Sequence, residues 1–305
     1  MFTNFIGQSD VISYLKTHIT YAKTNNKILP HILLDGGPGL GKTSITKEIA
    51  NILNVDLMYY NASTIKSHDE IFTQMITLKA GDILFIDEIH ALSKDIMESL
   101  YSAMTDFMIE IKVGSTRQQI KLPPFTVIGA TTDSGCLTRP LYDRFIIKQT
   151  LQLYSNEDLH KIIQSQNTNI TPRAARLIAS CGKGTPRIVL NLIKELRVFT
   201  NKDTTLKYKT VKNILNNTLH INEIGLNQDD LNVLKTLYNN NFTLSLSNLC
   251  TISQIPQSKY VVYVEPYLLK TGYISCTPRG RSLTPKAIQY LNVSTTQNNT
   301  LYERR

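Results

Sequence analysis

Residues 36–43 read Gly-Gly-Pro-Gly-Leu-Gly-Lys-Thr and lie between an apolar run and a helical pattern. The preceding run, 31–35, predicts a short buried strand. The following residues place Ile45, Ile49 and Ile52 on one face of a helix. A strand, a glycine-rich turn and a helix in this order fit the pattern G-x-x-x-x-G-K-[ST] of a phosphate-binding loop. A chance glycine-rich turn does not explain the strand before it and the helix after it.

The residue types inside this loop suit a bound polyphosphate. Gly36, Gly39 and Gly41 permit a tight turn that points backbone N–H groups at an anion. The new helix adds the positive end of its dipole at the same place. Lys42 is then placed to reach the β- and γ-phosphates, and the hydroxyl of Thr43 to hold Mg²⁺. The sequence therefore predicts a site for ATP and Mg²⁺.

A second apolar strand, 83–86, ends in two acids. Asp87 at the strand end can hold the Mg²⁺ of the nucleotide through water. Glu88 beside it is placed to act as the general base for an attacking water. A solvated turn after a strand is the alternative interpretation. Thr132 ends a further strand, where its hydroxyl can orient the attacking water.

Short strands alternate with helical patterns through residue 150. We predict strands at 56–60, 82–86 and 125–130, and helices at 68–78 and 94–106. This alternation is typical of a parallel sheet with helices on both faces. Residues 155–217 are helical in pattern, with helix starts at Ser155 and at Thr171-Pro172. Residues 225–293 form a third unit, with three helical patterns followed by strand, turn and strand.

An insertion between the predicted helix at 94–106 and the strand at 125–130 has alternating apolar residues. The segments 109–113 and 118–122 flank a Gly-Ser-Thr turn, which predicts a β-hairpin. A hairpin inserted into an α/β core has no sheet edge to complete. We interpret it as a docking device for a partner, with a decorative loop as the alternative.

The positive charge of the chain is concentrated behind the predicted ATP-binding part. Residues 1–150 carry 14 basic and 15 acidic side chains, residues 151–220 carry 11 and 4, and residues 221–305 carry 8 and 5. Basic segments joined to a nucleotide-binding part indicate an acidic polymer, such as a nucleic acid, as partner.

Other classes of protein are disfavoured by what the sequence lacks. The apolar runs are too short for a transmembrane helix, and the N-terminus has no secretory signal pattern. We therefore predict a cytoplasmic protein with no membrane partner. Four widely spaced cysteines, without a C-x-x-C pair, predict free buried thiols rather than disulfides or a zinc site.

With a phosphate loop, an Asp-Glu strand end, a sensor threonine and two further arginines, the chain resembles the AAA+ ATPases. Further motifs resemble the RuvB family of bacterial Holliday-junction branch-migration motors over residues 5–291. These motifs are Asp87-Glu88-Ile89-His90, Leu122-Pro123-Pro124-Phe125-Thr126, Gly129-Ala130-Thr131-Thr132, Asp143-Arg144-Phe145, Gly184-Thr185-Pro186-Arg187, Glu265-Pro266-Tyr267-Leu268-Leu269 and Thr277-Pro278-Arg279-Gly280-Arg281.

The resemblance implies roles in ATP hydrolysis for particular residues. Thr132 takes the position of the first sensor, Arg187 that of the second, and Arg144 that of an arginine finger acting on a neighbouring subunit. Lys42, Asp87 and Glu88 complete the catalytic set. The implied nucleotide contacts are Phe5, Ile6, Gly36, Gly37, Gly39, Leu40, Gly41, Lys42, Thr43, Ser44, Tyr154, Pro186 and Arg187.

The resemblance also implies an architecture and partners. The expected parts are an α/β AAA+ core at 1–153, an all-α lid at 154–221, a winged-helix DNA-binding domain at 222–293 and a polar tail at 294–305. A head-to-tail finger implies a ring, and the family implies six subunits.

The implied activity is ATP-driven branch migration of four-way junctions in recombination and repair. The hairpin, through Ile109, Ile111 and Val113, would dock a RuvA-like junction-binding protein. Arg279 and Arg281 in the wing would contact the phosphates of duplex DNA, although a solvated turn is the alternative for both.

Two departures from the family bear on these expectations. Tyr142 replaces a usual arginine, which leaves Arg144 as the finger of that motif. The hairpin is shorter than in the family, which bears on the contact with a RuvA-like partner.

Two other functions remain open from the sequence. One is a different AAA+ machine, such as a clamp-loader subunit. The other is a DNA-binding regulator that uses ATP as a switch.

Overall fold

The computed structural model of the chain describes residues 2, 5–65, 67–113, 116–166, 169–200 and 204–292, without the side chains at 68, 69, 111–113, 116 and 117. The chain divides into two units, Met1–Tyr154 and Ser155–Arg305. The helices of the first unit are α1 Ser9–Thr24, α2 Lys42–Leu53, α3 His68–Met75, α4 Lys94–Asp106 and α5 Arg139–Arg144. Its strands are β1 Ile32–Asp35, β2 Leu57–Asn61, β3 Ile83–Asp87, β4 Met108–Val113, β5 Thr116–Lys121, β6 Thr126–Thr131 and β7 Ile147–Thr150.

Five of these strands form one parallel sheet in the order β2-β3-β6-β1-β7. The apolar runs that form β3 and β6 are buried along almost their whole length, as strands covered on both faces must be. The predicted parallel sheet is confirmed, with strand bounds shifted by about one residue. The helix α1 and the strand β7 were not predicted.

The strand order brings the chemistry of the chain to one edge of the sheet. β6 lies between β1 and β3, so the loop that follows β1 and the acids that end β3 flank the end of β6. Gly36 N–H donates to the carbonyl of Thr131 across this edge, at 3.2 Å. Ligand sites in parallel sheets form at the carboxyl ends of the strands, and the site below lies there.

The predicted hairpin is β4–β5, which pairs Ile109 with Ile120 and forms its own two-stranded sheet among the described residues. Its base belongs to the core of the first unit, because Ile109 is 3% exposed and lies in one apolar cluster with Leu122 and Phe125. The prediction that Ile109 contacts a partner is therefore wrong, since its side chain is used inside its own unit. The turn at 114–115 and the side chains of Ile111 and Val113 lie outside the described residues.

The described residues of the second unit begin with four helices, in the segment 155–217 that the sequence predicted to be helical. They are α6 Asn156–Ser165, α7 Pro172–Cys181, α8 Pro186–Val198 and α9 Tyr208–Asn217. Ser155 caps α6 by accepting a hydrogen bond from the backbone N–H of Asp158, and Pro172 opens α7 with its fixed φ.

The remainder of the second unit has the element order of a winged helix. Its elements are α10 Gln228–Asn239, β8 Thr243–Leu244, α11 Leu246–Ser253, α12 Gln257–Lys259, a π-helical turn at Tyr260–Val264, α13 Glu265–Lys270, β9 Ile274–Thr277, β10 Gly280–Leu283 and a helical segment at 285–292. The three strands are antiparallel in the order β8-β10-β9, and the turn between β9 and β10 forms the wing.

The two arginines of the wing lie in different environments. Arg279 is exposed at the turn. Arg281 lies within β10, where its Nε donates to Oε1 of Glu265 at 2.5 Å and its Nη2 donates to Oε2 at 3.3 Å. Glu265 is 7% exposed, so this ion pair is internal to the winged helix. The guanidinium of Arg281 neutralises a buried carboxylate, but its side chain is still 23% exposed, so the ion pair does not test whether Arg281 also contacts DNA.

The cysteines are free, and only part of the prediction of burial is confirmed. Cys181 and Cys250 are buried, whereas Cys136 and Cys276 are exposed, on the turn after β6 and on the wing strand β9. Among the described residues, no helix is both long and apolar enough to cross a bilayer.

Replacing Ile109 with alanine should lower the free energy of unfolding by about 2–5 kcal/mol, because the change removes buried methyl groups and leaves a cavity. Gln118→Ala, on the exposed partner strand of the same hairpin, is the matched control and should change it by less than about 0.5 kcal/mol. Denaturant unfolding of both variants measures the difference. Equal stability of the two variants would show that Ile109 is not a core residue.

Candidate nucleotide-hydrolysis site

The loop between β1 and α2 has a backbone that needs glycine. Gly36 and Gly41 have φ angles of 143° and 101°. A Cβ on Gly36 would lie 2.9 Å from the carbonyl oxygen of Leu151, which real Cβ atoms do not approach. Gly41 is the N-cap of α2, so the glycines turn the chain from the strand end directly into the helix N-terminus.

Lys42 is the first residue of α2, and its ammonium group lies against the backbone of the loop. Its side chain is largely buried, and Nζ donates to the carbonyl oxygens of Gly36, at 2.6 Å, and Gly37, at 3.2 Å. Carbonyl oxygens are weaker partners for an ammonium group than a phosphate is. The loop therefore concentrates a buried cation, a helix N-terminus and backbone N–H groups where an anion can bind.

Aromatic side chains from two distant segments pack against the loop. The hydroxyl of Tyr154 donates to the carbonyl oxygen of Leu40 at 3.1 Å. The ring of Tyr154 lies so close to Gly7 that a Cβ there would be 2.5 Å from it. A Cβ on Gly41 would lie 3.6 Å from the ring of Phe5. The structure thus brings Phe5, Leu40, Gly41 and Tyr154 together around the loop, and their contact with a nucleotide stays a prediction.

The acids that end β3 have separate hydrogen-bond partners. Asp87 accepts from the hydroxyl of Tyr59 at 3.1 Å and from the backbone N–H of Glu88 at 3.1 Å. Glu88 has a φ of 52°, a left-handed conformation that is uncommon outside glycine. This conformation turns the chain immediately after the strand, so that the two neighbouring carboxylates do not share one environment.

The carboxylate of Glu88 is fixed by two side chains. The hydroxyl of Thr132 donates to its Oε2 at 3.3 Å, and Nδ1 of His90 lies 3.4 Å from the same oxygen. His90 is in turn 2.9 Å from the hydroxyl of Thr131. Glu88 is therefore part of an ordered cluster at the ends of β3 and β6, and its role as general base stays a prediction.

Arg144 is the last residue of α5 and is held by α4. Its Nη2 donates to the hydroxyl of Tyr101 at 2.9 Å. His31 lies nearby, and burial, with a smaller contribution from the charge of Arg144, lowers the pKa of His31. Tyr142, on the same helix, has Lys148 Nζ 4.3 Å from its ring centroid.

Pro186 and Arg187 open α8 in the second unit, with the side chain of Arg187 exposed there. Of the remaining predicted nucleotide contacts, Ile6 and Thr43 are partly buried and Ser44 is exposed.

Sequence analysis missed the side chains that orient the predicted ones. His90 lies two residues after Glu88, so the motif contained it but no role followed from its position. Tyr59 and Tyr101 are 28 and 43 positions away from the residues they orient, Asp87 and Arg144. No local pattern connects residues at such separations.

Known proteins of one family match this chain over nearly its whole length. Residues 1–151 match the P-loop domain of the Holliday junction DNA helicase RuvB, and residues 223–292 match the RuvB C-terminal winged helix domain. The Holliday junction branch migration complex subunit RuvB of Wolbachia sp. subsp. Drosophila simulans (strain wRi) is 39% identical over 300 residues, covering 95% of this chain and 92% of the relative. The subunit of the same name from Lactobacillus johnsonii is 40% identical over 300 residues, covering 94% and 88%.

A solved structure described as the Thermotoga maritima RuvB Holliday junction branch migration motor superposes with a TM-score of 0.80. It is 33% identical, and the match covers 94% of this chain and 95% of that one. The phosphate loop, the Asp-Glu strand end, the winged helix and these likenesses lead to one conclusion: the chain belongs to the RuvB family.

Proposed function

We propose that this protein is an ATP-hydrolysing motor that drives branch migration of Holliday junctions, together with a RuvA-like partner. The observation that carries the proposal is the meeting of Lys42, Asp87, Glu88 and Thr132 at one edge of the sheet, in a chain of the RuvB family. The relatives are named as subunits of a branch migration complex, and the Thermotoga structure is described as a branch migration motor. Such a motor works where bacteria keep their DNA, in the cytoplasm.

ATP is the substrate of the proposed site. Lys42 exchanges its carbonyl partners for the phosphates, and Phe5 and Tyr154, which pack against the loop, contact the nucleotide together with Ile6. Glu88 accepts a proton from the attacking water, while Thr132 and His90 keep its carboxylate in place. The order of these groups along the edge separates phosphate binding from water activation.

The site fits a magnesium ion, because it offers the hard oxygen donors that Mg²⁺ prefers. Thr43 and Asp87 would hold the ion, and the hydrogen bonds to Asp87 from Tyr59 and from the N–H of Glu88 orient that carboxylate. When bound, Mg²⁺ neutralises negative charge that develops on the phosphates.

Arg144 acts on the ATP of a neighbouring subunit in this proposal. A finger that acts in trans requires a head-to-tail contact, and head-to-tail contacts whose rotation closes generate rings. We assign a homo-hexamer on this basis and on the family. Tyr101 presents the guanidinium from its own subunit, and Tyr142 cannot replace it because a phenol carries no positive charge.

The proposed parts divide the chain as the AAA+ core 1–153, the lid 154–221, the winged helix 222–293 and the tail 294–305. Pro186 and Arg187 in the lid contact the nucleotide as the second sensor. Arg279 in the wing contacts phosphates of duplex DNA, including the arms of a four-way junction. Ile111 and Val113 in the hairpin dock the RuvA-like partner.

The function is tested by ATP turnover with and without four-way-junction DNA. The wild-type chain should hydrolyse ATP over many turnovers, and junction DNA should stimulate it. Glu88→Gln should bind ATP but hydrolyse it at least about 10²-fold more slowly, because an amide cannot accept the proton of water. A chain that binds ATP without turnover would instead be a switch, and wild-type turnover in Glu88→Gln would show that another group is the base.

Arg144→Ala should retain ATP binding and lose roughly 10³-fold or more in turnover, as expected for an arginine finger. Arg139→Ala is the matched control, because Arg139 is on the same helix with its side chain 93% exposed. Mixing Arg144→Ala with Lys42→Ala should restore part of the turnover at mixed interfaces. Assembled mixed rings without any recovery would show that Arg144 acts within its own subunit.

The two wing arginines should separate by phenotype. Arg279→Ala should weaken binding to unrelated duplexes equally and lower the salt dependence of binding by about one unit, since phosphate contacts carry no base information. Arg281→Ala should instead lower the free energy of unfolding by about 3 kcal/mol, because it leaves Glu265 buried without its partner. Duplex titrations across a salt series and denaturant unfolding measure the two effects. A stable Arg281→Ala protein with a reduced salt slope would assign that residue to the DNA interface.

A further inference from the structure

A buried ion pair connects the four-helix part of the second unit to its winged helix. Lys183 lies in the turn between α7 and α8, and its Nζ donates to Oδ2 of Asp230 near the start of α10. Lys183 is 9% exposed and Asp230 is 0% exposed. Burial raises the pKa of Asp230, and the charge of Lys183 opposes that shift. Because both residues are buried, separating the pair would leave a charge without a partner, which is costly.

Each member of the pair also shapes the backbone around it. Asp230 completes a capping box with Asn227, whose backbone N–H donates to Oδ2 of Asp230 at 2.8 Å. The oxygen that accepts from Lys183 therefore also caps the N-terminus of α10. Lys183 and Gly184 have φ angles of 51° and 73°, two successive left-handed residues. They place Thr185 as the N-cap of α8, whose second residue is Arg187.

The surroundings of the pair are closely packed. The hydroxyl of Ser180 donates to the carbonyl of Glu223 at 2.9 Å, and that of Tyr267 to the carbonyl of Ile224 at 2.7 Å. A Cβ on Gly225 would lie 2.7 Å from the carbonyl oxygen of Ser180. The end of α7 and the segment that leads into α10 therefore lie in close contact beside the pair.

We propose that Lys183 and Asp230 are positioning residues that transmit movement between the nucleotide-sensing end of α8 and the DNA-binding winged helix. The inference rests on the proposed ATPase function and on the role of Arg187 as second sensor. Arg187 is four positions from Lys183, so a displacement of this turn displaces α10 unless the buried pair opens. By linkage, if ATP changes the affinity of the winged helix for DNA, then bound DNA changes the affinity of the site for ATP by the same factor.

The double variant Lys183→Met/Asp230→Asn tests the coupling. It removes both charges together, a change that is often neutral for stability, and the asparagine keeps an acceptor for the cap of α10. We expect the double variant to fold, and to keep its basal ATP turnover and its affinity for duplex DNA within about 2-fold of the wild type. The stimulation of its turnover by four-way-junction DNA should fall by roughly 5-fold or more. Lys183→Arg, which keeps the charge, should retain the stimulation.

The matched control is Lys212→Met/Glu223→Gln, an ion pair of the same unit whose side chains are 42% and 46% exposed. Exposed pairs contribute little, so this variant should be stimulated like the wild type. If the double variant does not fold, Lys183→Gln/Asp230→Asn, which also removes both charges but keeps a polar side chain at each position, gives the same test.

The outcomes separate the two proposals. Wild-type stimulation in the folded double variant overturns the role of the pair and leaves the motor intact. Equal losses in the double variant and in the Lys212/Glu223 control also overturn it, since the effect would not be specific to the buried pair. A wild-type protein that junction DNA does not stimulate overturns the proposed function itself.

Discussion

The carboxyl ends of β1, β3 and β6 lie side by side, and the rest of the site depends on this adjacency. β6 lies between the other two strands, so Thr132 can donate to Glu88 from one side while Gly36 bonds to Thr131 on the other. Parallel strands all end at one edge, and short loops therefore suffice to bring phosphate-binding, acidic and hydroxyl groups within a few ångströms. A sheet with one antiparallel strand at this position would point one of those groups to the opposite edge.

In the second unit, charged residues of the same type have different roles because their environments differ. Arg279 and Arg281 are two positions apart, yet one is exposed and the other neutralises Glu265. Lys183 and Asp230 are buried, whereas Lys212 and Glu223 form an exposed pair. A buried pair adds little net stability relative to apolar residues, but it strongly disfavours arrangements in which the partners separate. Such pairs therefore fix the relative position of the two segments that carry them. A motor depends on this, because movement at one site must displace the other.

Much of the fold and of the hydrolysis site followed from the sequence because the signals are local. The loop at 36–43, the strand that ends in Asp87-Glu88 and the caps at Ser155 and Thr171-Pro172 each occupy a few consecutive residues. Each of these signals depends on the conformation of its own segment. Glycine suits the turns of the loop, apolar residues suit a buried strand, and hydroxyl or proline residues suit helix starts. Alternation of these segments was enough to predict a parallel sheet and a separate helical part.

What the sequence by itself determined was therefore the set of reactive groups and the segments that carry them. Only the tertiary structure decided which side chains are buried and which distant residues meet. Ile109 belongs to the core, Arg281 pairs with Glu265, and Tyr101 holds Arg144 across 43 positions of chain. Burial and pairing are properties of two segments at once, and the free energy that selects them comes from contacts that no single segment contains.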